Sequence, residues 1–119
     1  MPKDLTVAST GVDLHLHTTA SDGRWTPGGV VLRAARSGIG IVAITDHDTI
    51  EAVEEASSAG ANLGVTVVPG VEVTSSHRGH DLHVLLYGTA LRRPSAPIRG
   101  MLATLASLSH NRVIWFLNR

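Results

Sequence analysis

Apolar and polar positions alternate from Val12 to His17 (VDLHLH), the pattern of a strand with one wet face. Thr26-Pro27 then reads as a helix start, with Thr26 as N-cap and Pro27 at the first helical position. Val30, Val31, Leu32, Ala34 and Ala35 supply its apolar face, and Gly38 supplies a stop. Ile39 to Thr45 (IGIVAIT) is a continuous apolar run, as expected of a strand covered on both faces. Asp48 or Thr49 is predicted to cap a short helix through Ala59, with Gly60 just past its end. Gly64 to Val73 predicts a third strand, interrupted at Pro69-Gly70, and Leu82 to Tyr87 a fourth. From about Ser95, Met101, Leu102, Leu105, Leu108 and Val113 recur at helical spacing. The order is β-α-β-α-β-β-α, an α/β pattern whose first two crossovers demand parallel pairing. Arg92-Arg93-Pro94 is the one linker-like break, separating the strands from the last helix.

With 119 residues, the chain has one domain's worth of sequence and too little for a closed eight-fold α/β barrel, which takes about 250. Ten basic residues balance ten acidic ones, so no strong nucleic-acid surface and no adhesion to anionic membrane is expected. The absence of cysteine excludes disulfides, thiolate metal sites and a cysteine nucleophile. The longest stretch without a charge, Ala56 to Val71, is too short and too broken by glycine and proline to span a bilayer. The opening MPKDLTVASTGVDLH lacks the apolar core of a signal peptide. These features make a soluble cytoplasmic chain the expectation.

The candidate chemistry follows the predicted strands, at the ends where α/β folds place their sites. His15 and His17 stand two apart on a strand, so both imidazoles share a face and suit one cation; alone, the pair also reads as edge-strand surface. Ser21-Asp22-Gly23 is by itself an ordinary turn. Asp46-His47-Asp48 puts three ionisable groups at the mouth of a buried strand, which is costly unless they are solvated, paired or metal-bound. A helix cap accounts for Asp48 but not for Asp46 or His47. Glu72 follows the Pro69-Gly70 kink, and His83 opens an otherwise apolar strand; His77 and His80 read as surface. Imidazoles and carboxylates without thiolates suit Zn²⁺, Mn²⁺ or Fe²⁺, and ligand type does not choose among them. Such ions would activate a water and neutralise phosphoester oxygens.

VDLHLHTTASDG, AITDHDTI, PGVEVTS and HDLHVLLYG resemble, in order and spacing, the early motifs of the PHP (polymerase and histidinol phosphatase) family. The likeness is strongest to its stand-alone bacterial members, the 3′,5′-nucleotide bisphosphate phosphatases and related 5′-to-3′ exoribonucleases. It implies a distorted (β/α)₇ barrel, of which this chain supplies the N-terminal half, with up to three divalent ions at the C-terminal ends of its strands. By motif, His15 and His17 would hold the first ion and Glu72 would bridge the first and second. His83 would hold the second, and Asp22 and His47 the third. Asp46 would orient a ligand histidine from behind. The nucleophile would be a metal-bridging hydroxide, and the activity hydrolysis of a phosphate ester on a small phosphorylated substrate, a nucleotide or short RNA end. Residues 1–94 would then belong to the barrel and 95–119 to the start of an inserted helical segment, in which Arg112 resembles a residue that meets substrate phosphate.

Family members go on to supply further histidines and a late Asp-x-His pair, for which this sequence has no counterpart. The expectation is therefore a weakly active or inactive N-terminal portion that self-associates through an exposed sheet edge. The alternatives are a non-catalytic metal-binding remnant and a parent with histidinol-phosphatase-type activity.

Overall fold

The computed structural model describes the backbone of residues 11–117 and the side chains of residues 11–108. Residues 1–10, including most of the segment read for a signal peptide, and the side chains of Arg112 and Val113 lie outside that range. The elements are β1 (Gly11–Leu16), α1 (Pro27–Arg36), β2 (Ile39–Ile44), α2 (Val53–Leu63), β3 (Thr66–His77), β4 (His80–Tyr87), a 3₁₀ turn (Thr89–Arg92) and α3 (Ala96–Leu117). The sheet order is β1-β2-β3-β4, with β1, β2 and β3 parallel and β4 antiparallel to β3.

Local chemistry sets the boundaries. The Thr26 hydroxyl accepts from the Gly29 amide at 3.1 Å, and Pro27 opens α1 as expected of a residue with no amide to satisfy. The predicted cap of α2 is wrong. Asp48 and Thr49 precede the helix, which begins at Val53 after an Ala52 that makes no side-chain cap bond. Gly60 lies inside α2, and the left-handed residue that ends it is Gly64, at φ 69°. A Cβ on Gly60 would stand 2.4 Å from the Val65 carbonyl oxygen, so this glycine lets α2 lie directly on the start of β3.

The third strand also differs from expectation, because Pro69-Gly70 does not interrupt it. Thr66 to Pro69 pairs with Ile41 to Ile44 of β2, and Gly70 to His77 pairs with β4 down to the Arg78-Gly79 turn. The proline falls at the point where β3 exchanges one partner for another, where a missing amide costs least. Gly70 has Thr45 Cγ2 at 2.9 Å and Ile44 O at 3.0 Å from where a Cβ would sit, so the crossing is too tight for any other residue without movement.

Two apolar clusters fasten the helices. Val30, Val31 and Ala34 of α1 and Ala56 of α2 pack with Val42, Ile44, Val65 and Val67. Val71, Leu91 and Leu102 form a smaller cluster with Ile98 and Val73, which seats α3 on the far half of β3. The sheet is curled: Tyr87 on β4 donates its hydroxyl to the Leu14 carbonyl on β1 at 2.6 Å, although β1 and β4 are at opposite ends of the strand order. The concave side collects the downstream ends of β1 and β2 and the middle of β3. Among the described residues, no helix is long and apolar enough to cross a membrane.

Candidate metal centre

The site forms around Glu72. Past Ile44 the chain continues beside β3, with the Glu72 amide donating to Asp46 O and the Asp48 amide to Glu72 O, both at 3.0 Å. His47 and Glu72 are thereby bridged as parallel strand neighbours. On the other side, Glu72 pairs with Leu85 and Thr74 with His83, so His83 is diagonal to Glu72 on one face of the hairpin. His15 and His17 come in from the end of β1, which is tied to β2 by the Thr45 amide on Leu16 O at 2.8 Å.

The Glu72 side chain is 6% exposed and its two oxygens are shared among four imidazoles. Oε1 lies 2.6 Å from His15 Nε2. Oε2 lies 2.8 Å from His47 Nδ1, 3.4 Å from His83 Nδ1 and 3.9 Å from His17 Nε2. Asp22, mostly exposed, reaches His17 Nδ1 at 3.3 Å and His47 Nε2 at 3.2 Å. Among the described residues three overlapping donor triads result: His15, His17 and Glu72; His17, Asp22 and His47; and His47, Glu72 and His83. All six residues read from the sequence as ligands are thus together. His77 and His80 are exposed at the hairpin turn, away from them.

The donor set suits a cation. Two ligands bonded to one ion at about 2.1 Å stand roughly 3–4 Å apart, and four of the six contacts above fall in that interval. His17 Nδ1 is buried and makes no hydrogen bond, although Asp22 is close by; an electrophile between them would satisfy it.

Asp46 departs from its expected role. Among the described residues its carboxylate reaches no histidine: it accepts from the Thr18 amide and hydroxyl, each at 2.7 Å, and from the Ser21 hydroxyl. It therefore fixes the turn after β1 that presents Asp22. Asp48, read as a helix cap, is buried and accepts from the Thr74 amide at 2.8 Å and hydroxyl at 2.7 Å. Nothing in the sequence singles out Thr18 or Thr74, and Ser21 reads there only as part of a turn. The signal available was the cost of burying three successive ionisable residues, which requires partners of this kind nearby.

The sequence matches the PHP domain family over residues 13–111. The chain belongs to this family. A 5′-3′ exoribonuclease of Escherichia coli, Rnm, is 46% identical over 77 residues, which are 61% of this chain and 26% of that protein. A 3′,5′-nucleoside bisphosphate phosphatase of Chromobacterium violaceum is 38% identical over 84 residues, 71% of this chain and 30% of that one. Among solved structures, a Bifidobacterium adolescentis protein described as a metal-dependent phosphoesterase superposes with a TM-score of 0.74 at 34% identity, covering 79% of this PHP chain and 32% of its own. The chain thus spans between about a quarter and a third of the length of these relatives. The curled α/β sheet lies in the part that superposes on the Bifidobacterium adolescentis structure.

Proposed function

We propose that this PHP domain binds divalent metal at the Glu72 cluster and serves the hydrolysis of a phosphate ester, as part of a (β/α)₇ barrel. The carrying observation is one buried carboxylate whose two oxygens face four imidazoles, an arrangement made for bridging. His15, His17 and Glu72 would hold one ion, Glu72 and His83 a second, and Asp22 and His47 a third. When bound, such ions supply Lewis-acid charge to phosphoryl oxygens and acidify a water. The protein's part is to hold the donors in place. His15 and His83 stand at the exposed rim, where substrate has access, while Glu72 lies beneath them and keeps the imidazoles facing inward. Arg112 on α3 is proposed to meet a substrate phosphate, in a segment that shapes substrate choice.

The relatives favour a nucleotide bisphosphate or an RNA end as substrate over histidinol phosphate. The six side chains brought together among the described residues leave three ions short of protein ligands if each imidazole serves one ion. Weak activity of the 119-residue chain follows, and non-catalytic metal binding is the competing reading. Elemental analysis after gentle purification should find Mn, Fe or Zn, and His15→Ala with His17→Ala should abolish it; equal metal in both refutes the site. Turnover of a 3′,5′-bisphosphonucleotide with Mn²⁺ separates the catalytic reading from the non-catalytic one.

A further inference from the structure

We infer that Asp48 is a positioning residue for the Glu72 half of the cluster, and that Asp46-His47-Asp48 acts as a clamp working in two directions. The inference rests on the metal-binding reading above. The two carboxylates flanking His47 are both almost wholly buried, and they reach opposite neighbours. Asp46 binds Thr18 and Ser21, on the side that supplies His17 and Asp22. Asp48 binds Thr74, on the side that supplies Glu72 and His83.

The need for Asp48 comes from the sheet. The regular β2-β3 ladder ends at Ile44 and Pro69, just before the residues that carry the chemistry. Beyond it, β3 is attached to the Asp46–Asp48 segment by the two backbone bonds on either side of Glu72. The Asp48 carboxylate adds two charge-assisted bonds two residues further on, where a continued strand would have placed a ladder bond. Thr74 is the residue opposite His83, so the same grip sets the face from which His83 approaches Glu72. Asp48 holds φ 55°, a left-handed backbone that Asp and Asn tolerate and most residues resist. A residue kept there, buried and doubly bonded, is held for its side chain's reach.

Three variants of the 119-residue chain test this, read by Mn²⁺ binding in calorimetry and by the Mn²⁺ resonance signal, with circular dichroism as a check on folding. Asp48→Gly relieves the backbone but removes the grip, and should weaken Mn²⁺ binding by about 10-fold or more, the scale on which contacts behind metal ligands act. Asp48→Asn tolerates the same backbone, accepts from the Thr74 amide and donates to its hydroxyl, so it should stay within about threefold of the parent. Thr74→Val removes one hydroxyl and should fall between them; it decides the matter should Asp48→Gly not fold. Folded Asp48→Gly binding like the parent, Asp48→Asn as weak as Asp48→Gly, or Thr74→Val indistinguishable from the parent each overturn the inference. His15→Ala with His17→Ala, run alongside, separates the two failures. Metal lost there but kept in Asp48→Gly refutes the clamp alone, and metal unaffected there, or absent from the parent, refutes the metal reading and the clamp with it.

Discussion

A carboxylate as deeply buried as Glu72 is costly unless its charge is met, and among the described residues it is met by imidazole nitrogens rather than by lysine or arginine. Those nitrogens sit 2.6 to 3.9 Å away, and neutral imidazole is a metal ligand where ammonium and guanidinium are not. Glu72→Gln keeps the shape and one carbonyl oxygen but loses the charge and the second acceptor. On the proposed reading it should lower Mn²⁺ affinity by more than the roughly 10–100-fold controlled by contacts behind the ligands. Calorimetry measures this directly, and an unchanged affinity would mean that Glu72 is buried for structural reasons alone. At this scale the cluster is legible in the sequence because histidine and carboxylate are conspicuous at strand ends. Asp48 was misread because a residue just ahead of a helix matches a cap by type, and its true partner, Thr74, lies 26 positions away.

Among the elements, β3 does most to position the site, since it changes partners at Pro69 and carries Glu72 just beyond. The sequence showed each strand and helix through its periodicity, but it made Pro69-Gly70 a break. A proline's missing amide looks the same whether a strand stops or exchanges neighbours. Gly60 likewise reads as a helix stop, because glycine's absent Cβ serves both left-handed caps and close packing. Two substitutions separate, by sign, a glycine required by close packing from one that nothing crowds. Gly60→Ala pushes a methyl into the Val65 carbonyl and should destabilise by about 1–3 kcal/mol, the usual range for overpacking. Gly100→Ala, on α3 with open space around it, should stabilise by up to about 1 kcal/mol through helix propensity. Urea melts report both, and a stabilising Gly60→Ala would show that α2 does not rest on β3 as described.

At the scale of the whole molecule, the curled sheet has two flanks with one partner each among the described strands, β1 beside β2 and β4 beside β3. Both carry exposed apolar side chains: Val12 and Leu14 on β1, Leu82, Val84 and Leu86 on β4. Backbone groups that lack a neighbouring strand, beside apolar side chains, are a template for further pairing, and few charges on either strand oppose it. Covering one Leu- or Val-sized side chain is worth roughly 1.5–3 kcal/mol, so a few together rival the stability of a small domain. The 119-residue chain is therefore expected to self-associate with rising concentration. Leu82 faces the exposed polar Ser75 across the hairpin, so Leu82→Lys should leave the fold within about 0.5 kcal/mol of the parent while setting a charge on the β4 edge. Light scattering across a concentration series should show association in the parent and less in the variant. A parent that remains a monodisperse monomer would mean that these flanks do not drive contact, and equal association in both would move the contact away from β4.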